Sequence, residues 1–178
     1  MCKNRLIRLH DLNGLDIIKK LNVYNYMRAI IQRVSEANIT INSSTYRSVS
    51  KGFLVLLGIE DNDDKDDVTW LVQKIFNMRI FPDEEGKMNK GFNDVNADIL
   101  IVSQFTLFAS TRKGNRPSFI KSAKPTHAIP LYELFISEFR KLVNSHQKVE
   151  TGEFGADMQI QLINDGPVTI FMDTKLKE

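Results

Sequence analysis

Apolar and polar residues alternate with a period of two along much of the chain, a pattern that predicts β-strands with one buried face. Residues 29–31 and 37–42 follow it and are predicted to form two half-buried strands. Residues 52–59, Gly-Phe-Leu-Val-Leu-Leu-Gly-Ile, are apolar on both faces, so this strand should lie at the centre of a sheet that is covered on both sides. Residues 98–102 predict one more buried strand.

The last third of the chain returns to alternation in residues 156–163, and a short apolar run follows at 168–172. Between them lie Asn164, Asp165, Gly166 and Pro167. Pro167 has no backbone N–H to donate to a central ladder, and Gly166 adds conformational freedom. The pair therefore predicts a turn that joins two strands.

Two segments carry apolar residues at helical spacing. The acidic run 60–67 precedes the first, whose stripe is Val68, Leu71, Val72, Ile75 and Phe76. This run invites comparison with a calcium loop, but it lacks the central glycine and the closing glutamate at the required offset. We interpret the acids as helix-start residues. The second helix is predicted over residues 126–143, with a buried stripe formed by Leu131, Leu134, Phe135, Phe139 and Leu142.

Composition bounds the class of protein. At 178 residues with 42% hydrophobic content, the chain suits a single α/β (mixed α+β) domain with a substantial core. Its single cysteine, Cys2, provides neither a disulfide framework nor a thiolate metal cluster, and a reducing compartment such as the cytoplasm is expected. No apolar run approaches the length of a membrane span, so no membrane partner is expected.

Residues 1–26 differ from the rest of the chain. They carry five Lys and Arg against two Asp, a charge of +3, which leaves 2 − 3 = −1 for the remainder. We interpret 1–26 as an N-terminal extension of unknown role and 27–178 as the functional domain, with Met27 a candidate start. A transit peptide is the alternative, but this segment has no Ser or Thr and carries two acids. The negative body excludes general nucleic-acid binding by bulk charge.

One local patch is strongly basic: no acid lies among Arg112, Lys113, Arg116, Lys121 and Lys124. Its candidate roles are phosphate binding and an ordinary solvated loop. Just upstream, Ser103 and Thr106 follow a predicted strand end, where functional groups often gather. Either hydroxyl could be a nucleophile if His127 served as base, but the glycines of a nucleophile elbow are missing.

Two motifs resemble the signatures of a known family. Residues 103–107, Ser-Gln-Phe-Thr-Leu, together with Ala109, and residues 164–169, Asn-Asp-Gly-Pro-Val-Thr, resemble those of D-aminoacyl-tRNA deacylases. The likeness runs from residue 27 to about 174 and includes residues 28–34, 52–58, 79–81, 86–89, 116–119 and 152–158. The two motifs together are highly specific.

The resemblance implies a metal-independent, cofactor-free homodimeric hydrolase with a barrel-like mixed sheet, acting on D-aminoacyl-tRNA in translation proofreading. Achiral glycine would also fit a site that excludes L-residues by collision, so mischarged glycyl-tRNA is a further candidate substrate. Ser103, Gln104, Phe105 and Thr106 would form the catalytic segment. Because an aminoacyl ester is already activated, we expect backbone N–H groups around Phe105 and Thr106 to stabilise the oxyanion. Gly166 and Pro167 of the other subunit, joined by a cis bond, would be a chirality gate. The five cations would contact the acceptor stem.

Three rival functions follow from related proteins. A sister family acts on wrongly attached L-alanine and carries altered forms of both motifs, whereas Ser103 and residues 165–168 favour the D-specific branch. Some relatives are nucleic-acid-associated proteins without enzymatic activity that carry a C-terminal tail, and this chain ends soon after Asp173. A structural dimer with a lapsed site is the third, although both motifs are intact.

Overall fold

The computed structural model describes residues 27–176, so the predicted extension 1–26 lies outside the described residues. Strand β1 spans Arg28–Ile41 and organises the sheet. On one side it pairs antiparallel with β3 (Gly52–Gly58) through its first half and with β2 (Thr45–Val49) through its second. On the other side it pairs along its length with β8 (Met158–Asp173).

The sheet continues from β3 through two parallel strands. β6 (Asp98–Ser103) pairs with β3, and β7 (Val149–Thr151) pairs with β6. The strand order is therefore β2-β1-β3-β6-β7, with β8 also on β1, and β2 lies close enough to β6 and β7 to bring the sheet near to closing as a barrel. The expected mixed, barrel-like sheet is confirmed.

The central position predicted for residues 52–59 is also confirmed. Phe53, Val55 and Leu57 point into the larger apolar cluster, which the helices cover, while Leu54 packs in a second cluster inside the curved sheet. A strand that is buried on both faces needs no polar alternation, which explains the continuous apolar run.

Both predicted helices are present, with shifted ends. Helix α1 spans Lys65–Phe76, and Asp64 caps its start: the Asp64 carboxylate accepts hydrogen bonds from the N–H groups of Asp66 and Asp67. The acidic run therefore caps a helix, as predicted. Helix α2 spans Pro125–Arg140 and starts at a proline, a favoured first helical residue. A hairpin of β4 (Phe81–Pro82) and β5 (Met88–Lys90) follows α1.

Two predictions about strand number were wrong. Residues 28–41 form one continuous strand, and residues 158–173 form another. In both cases the alternation breaks at an irregularity of the β1–β8 ladder: Gln32 pairs with Thr169 and Val34 with Asn164, so two steps along β1 correspond to five along β8. Gly166 and Pro167 thus lie in a bulge within one strand, and do not form a turn between two.

Within residues 27–176, no helix is both long enough and apolar enough to cross a bilayer.

Candidate active site

A cavity of about 370 Å³ opens where β6 ends. One wall consists of Ser103, Gln104 and Phe105, and the opposite wall is the segment 154–158 with Ile160. Its remaining lining is mostly apolar and comes from Leu57, Ile59, Val102, Ser122, Ala123 and Ala128. The motif at 103–107 therefore forms part of a concave surface, as a catalytic segment requires.

A short 3₁₀ helix, Phe105–Phe108, follows the strand. Its start is fixed by a hydrogen bond of 2.7 Å from the Gln104 N–H to the Leu57 carbonyl. Its end is anchored by the buried ring of Phe108. Gly58 allows the close approach, because a Cβ there would lie 3.0 Å from the Phe108 ring and 3.1 Å from the Gln104 carbonyl oxygen.

The first N–H groups of this 3₁₀ helix are open. Within residues 27–176, neither the Phe105 N–H nor the Thr106 N–H donates to a backbone carbonyl, and the Gln104 side chain does not cap the helix. The first N–H groups of a helix have no acceptor within the helix, so they can donate hydrogen bonds to a ligand. Two adjacent donors at the edge of a cavity could bind an oxygen that gains negative charge.

The polar side chains of the segment are not arranged as a triad. The Gln104 amide donates a hydrogen bond to the Thr106 hydroxyl. His127 is not part of the cavity lining among the described residues, and its Nε2 is engaged by the Asp63 carbonyl oxygen at 3.0 Å. His127 is therefore not placed as the base of Ser103 or Thr106, and that alternative loses its geometric basis.

Arg28, which the sequence reasoning missed as a site residue, fixes the far end of the 3₁₀ helix. Its Nη1 donates to the Leu107 carbonyl at 2.9 Å, and its guanidinium lies 4.8 Å from the centre of the Phe108 ring. The buried carboxylate of Asp173 accepts from Arg28 Nε at 3.2 Å. The first residue of β1 and the last of β8 thus hold the candidate catalytic segment together.

The second motif lies in the bulge of β8. The Gly166-Pro167 peptide bond is cis, and Gly166 has φ of +122°. The bulge is held by Arg33, whose Nε contacts both the Asp165 carbonyl (3.2 Å) and its carboxylate (3.0 Å). Asn164 closes it from the other side by accepting from the Val168 N–H and donating to Thr169. Arg33 is buried, and nothing in the sequence pattern of β1 marks it as a partner of this motif.

The two motifs do not meet within one chain. Of the residues that the structure describes, those lining the cavity include Ser103, Gln104 and Phe105 but neither Thr106, Gly166 nor Pro167. The segment 154–158 does line the cavity. Its sequence gives no sign of this role, because the alternation that starts at residue 156 predicts only a strand.

The five predicted tRNA-contacting cations lie between the 3₁₀ helix and α2. All are exposed, and within the described part of the chain none forms a salt bridge: Arg112, Lys113, Arg116, Lys121 and Lys124. Paired hydrogen bonds between Ser110 and Ser118 (2.8 and 2.9 Å) close the loop that carries the first three. After these cations the chain comes back to the cavity, where the Ala123 N–H donates a hydrogen bond to the Ile59 carbonyl.

Buried acids lie at the start of α1 and in the loop that precedes it: Glu60, Asp63 and Asp67. Burial raises the pKa of the Asp63 carboxyl to about 7, and the nearby carboxylates of Asp67 and Glu60 raise the pKa further. The hydrogen bond from the Glu60 N–H and the charge of the Lys175 ammonium act in the opposite direction and lower the pKa. Oδ1 of Asp63 has no hydrogen-bond partner within residues 27–176. No cluster of three or more His, Cys, Asp or Glu in that range is arranged to hold a metal ion.

Comparison with known proteins assigns the chain to a family. Residues 30–173 match the family model for D-Tyr-tRNA(Tyr) deacylase. The D-aminoacyl-tRNA deacylases of Akkermansia muciniphila and Cytophaga hutchinsonii are 57% and 56% identical over 152 residues, which is 85% of this chain and 100% of each relative.

Two solved structures share the fold. One is titled c-Myc DNA Unwinding Element Binding Protein (TM-score 0.76, 39% identity, 82% of this chain and 97% of that one). The other is a probable eukaryotic D-amino acid tRNA deacylase (TM-score 0.69, 18% identity, 83% of this chain and 99% of that one), which supports the fold alone. On the family match and the identity to its relatives, this chain belongs to the D-Tyr-tRNA(Tyr) deacylase family.

Proposed function

We propose that this protein hydrolyses the ester bond of D-aminoacyl-tRNA, releasing a free D-amino acid and tRNA in the cytoplasm, and that it also clears mischarged glycyl-tRNA. The observation that carries the proposal is the cavity bounded by Ser103, Gln104 and Phe105, together with the open N–H groups of Phe105 and of Thr106, the residue that follows it. The family membership supports the same activity.

The N–H groups of Phe105 and Thr106 are the proposed oxyanion donors. An aminoacyl ester is already activated, so hydrolysis needs positioning of the ester and stabilisation of its carbonyl oxygen as it becomes negative. Water attacks the carbonyl carbon, the bond to the ribose oxygen breaks, and a proton passes to that oxygen. The neighbouring ribose hydroxyl of the tRNA assists the attack.

Thr106 is proposed to position the substrate. Its hydroxyl accepts a hydrogen bond from Gln104, and His127 is engaged elsewhere, so no base is placed to activate it. Thr106→Ala should retain most activity, and rapid quenching of the wild type should trap no acyl-enzyme. A covalent intermediate that disappears in Thr106→Ala would instead make Thr106 the nucleophile.

Discrimination against L-substrates is proposed to be steric and to come from the partner subunit. Gly166 and Pro167 lie outside the cavity of their own chain. They lie on β8, which also exposes Ile163 and Phe171, each more than half accessible. A homodimer that covers this face would bring the Gly166 and Pro167 of one subunit to the α-carbon of a substrate held in the other. Exclusion by collision can give a larger discrimination than added attraction.

The five exposed cations are the proposed contacts for acceptor-stem phosphates. They are unpaired within the described residues and lie on the segment that returns to the cavity wall at Ser122 and Ala123. Charge reversal at Arg112 and Arg116 should weaken tRNA binding and flatten its dependence on salt, because fewer counterions are released on binding.

The activity is tested with matched D- and L-tyrosyl-tRNA, by following the loss of the ester bond. The D-ester should be hydrolysed and the L-ester spared. Equal rates, or no hydrolysis of either, would contradict the proposal. Non-enzymatic nucleic-acid association is not favoured, because relatives at 52–57% identity carry the deacylase name whereas the DNA-associated structure is 39% identical.

A further inference from the structure

Three apolar side chains lie beside the mouth of the cavity, and we call them the apolar rim: Phe105, Phe119 and Ile120. Phe105 lines the cavity yet is 53% exposed, Ile120 is 89% exposed, and Phe119 between them in the rim is partly buried. The two aromatic rings meet edge to face, with centroids 5.0 Å apart and planes at 76°. Large apolar side chains grouped at one surface site are a feature of binding surfaces.

The rim is held in place by backbone hydrogen bonds. The Ser118 N–H donates to Ser110, and the Ser122 N–H donates to the Phe119 carbonyl at 2.9 Å. The second bond closes a turn whose two central residues are Ile120 and Lys121, so an apolar and a cationic side chain project from the same turn. Phe119, one residue earlier, joins this turn to the 3₁₀ helix through its contact with Phe105.

The surroundings of the rim are cationic and unpaired. Arg116 precedes it, Lys121 and Lys124 follow it, and none of the three forms a salt bridge within residues 27–176. Aromatic faces beside free cations are the combination by which proteins hold single-stranded nucleic acid: bases stack on the rings and phosphates meet the charges. An apolar partner protein would gain nothing from these charges.

We propose that the apolar rim binds the unpaired nucleotides that immediately precede the esterified terminal nucleotide, by stacking their bases on Phe119 and packing them against Ile120. The inference rests on the proposed function, because the terminal nucleotide must enter the cavity beside Phe105. It adds a contact to unpaired bases that is separate from the phosphate contacts of the cations and from the chemistry of the 3₁₀ helix.

The test compares two substrates: D-tyrosyl-tRNA and the D-tyrosyl ester of adenosine, which lacks the preceding nucleotides. Phe119→Ala should lower the ratio of kcat/KM on the tRNA ester to kcat/KM on the nucleoside ester by about fivefold or more. That is the scale expected for the loss of one stacked base. Phe119→Trp should restore the ratio of the two rates, since it keeps a stacking face. Ile120→Ala, which removes an exposed side chain and leaves no cavity, should shift the ratio in the same direction.

Tyr46→Ala is the matched control, because Tyr46 is an aromatic residue that is 62% exposed on β2, outside the rim. It should leave the ratio unchanged. Binding of uncharged tRNA gives a second readout: Phe119→Ala should weaken binding without changing the slope of log K against log salt, whereas Lys121→Gln should reduce that slope by about one.

Equal losses on both substrates in Phe119→Ala would assign the ring a purely structural role and overturn the proposal. Conversion to monomers by Ile120→Glu, seen by sedimentation, would identify the rim as a subunit contact and overturn it as well. Failure of the wild type to hydrolyse D-tyrosyl-tRNA would instead contradict the proposed function itself, so the two failures are distinguishable.

Discussion

At the scale of single residues, Gly166 is the position where adding a Cβ should most affect both stability and activity. Its φ of +122° lies where L side chains rarely adopt a stable conformation, and a Cβ would lie 2.9 Å from Arg33 Nη2 and 2.9 Å from Val168 Cγ2. Gly166→Ala should therefore displace the bulge, lower the free energy of unfolding by about 1–3 kcal/mol, and abolish most D-tyrosyl-tRNA hydrolysis. Thermal unfolding and the deacylation assay measure the two effects.

Gly86 provides the control for this prediction. It has φ of +79°, in the hairpin of β4 and β5, and nothing lies within 4 Å of a Cβ built there. Gly86→Ala should cost stability through backbone strain alone and leave hydrolysis intact. Full activity in Gly166→Ala would count strongly against the proposed gate.

Asp63 should make stability depend on pH. Its folded-state pKa of about 7 lies above that of an unfolded carboxyl, so the folded protein retains a proton that the unfolded chain releases from about pH 4 upward. The contribution of Asp63 to stability therefore falls as pH rises from about 4 to about 7 and stays low above that. Asp63→Asn cannot ionise, so its stability relative to wild type should improve by about 1–3 kcal/mol between pH 5 and pH 8.

Chemical denaturation of both proteins across this pH range measures the difference. Asp61→Asn, which removes an exposed charge from the same loop, controls for the change in net charge. A difference between wild type and Asp63→Asn that stays constant with pH would show that Asp63 ionises in the folded state as it does in the unfolded one.

At the scale of elements, the 3₁₀ helix depends on a contact from β1. Arg28 binds the Leu107 carbonyl and lies against the Phe108 ring, while Asp173 of β8 orients it. A lysine has one point charge and cannot reproduce the fork of donors. Arg28→Lys should lower kcat by about 10- to 100-fold through misplacement of the Phe105 and Thr106 N–H groups, with a much smaller change in KM.

Steady-state kinetics separates these parameters. Arg79→Lys is the matched control, since Arg79 also donates to a backbone carbonyl, that of Asn89, but in the hairpin away from the cavity. It should leave kcat unchanged. A rise in KM at constant kcat in Arg28→Lys would instead place Arg28 in substrate binding.

The elements also show how far the sequence predicts this fold. The apolar run of β3 and the helical stripe of α1 were predictable because burial on two faces or on one face imposes its own period. The continuity of β1 and of β8 was not predictable, because each strand loses its alternation at the irregularity of their shared ladder. The break after Gln32 in β1 and the break at Asn164 in β8 belong to the same bulge. A pairing between residues at least 130 positions apart, as Gln32 with Thr169 and Val34 with Asn164, leaves no local signal.

The residues of the candidate site likewise fall into those that the sequence predicts and those that it does not. Ser103 to Thr106 and Gly166-Pro167 stand out as motifs, whereas Arg28 and Arg33 look like ordinary polar positions of an alternating strand. Their roles come from tertiary contacts: Arg33 reaches Asp165 across the β1–β8 ladder, and Arg28 reaches the Leu107 carbonyl in the 3₁₀ helix. The cavity wall at 154–158 is likewise defined by what it faces.

At the scale of the whole molecule, the separation of the two motifs leads to a test of assembly. The proposal requires each active site to combine the cavity of one subunit with the Gly166 and Pro167 of the other. A variant that fills the cavity, Ala156→Trp, and the gate variant Gly166→Ala should each be inactive alone. In a mixed dimer, the unfilled cavity of one subunit meets the intact gate of its partner, and one working site is restored.

Random pairing of equal amounts makes half of all dimers mixed, and each mixed dimer has one working site of two. The mixture should therefore recover about a quarter of the wild-type rate on D-tyrosyl-tRNA after subunit exchange, and sedimentation should confirm a dimer. Mixing two samples of the same variant is the control and should recover nothing. If the gate acted within its own chain, the mixture would stay inactive, because every subunit would still carry one defect in its only site.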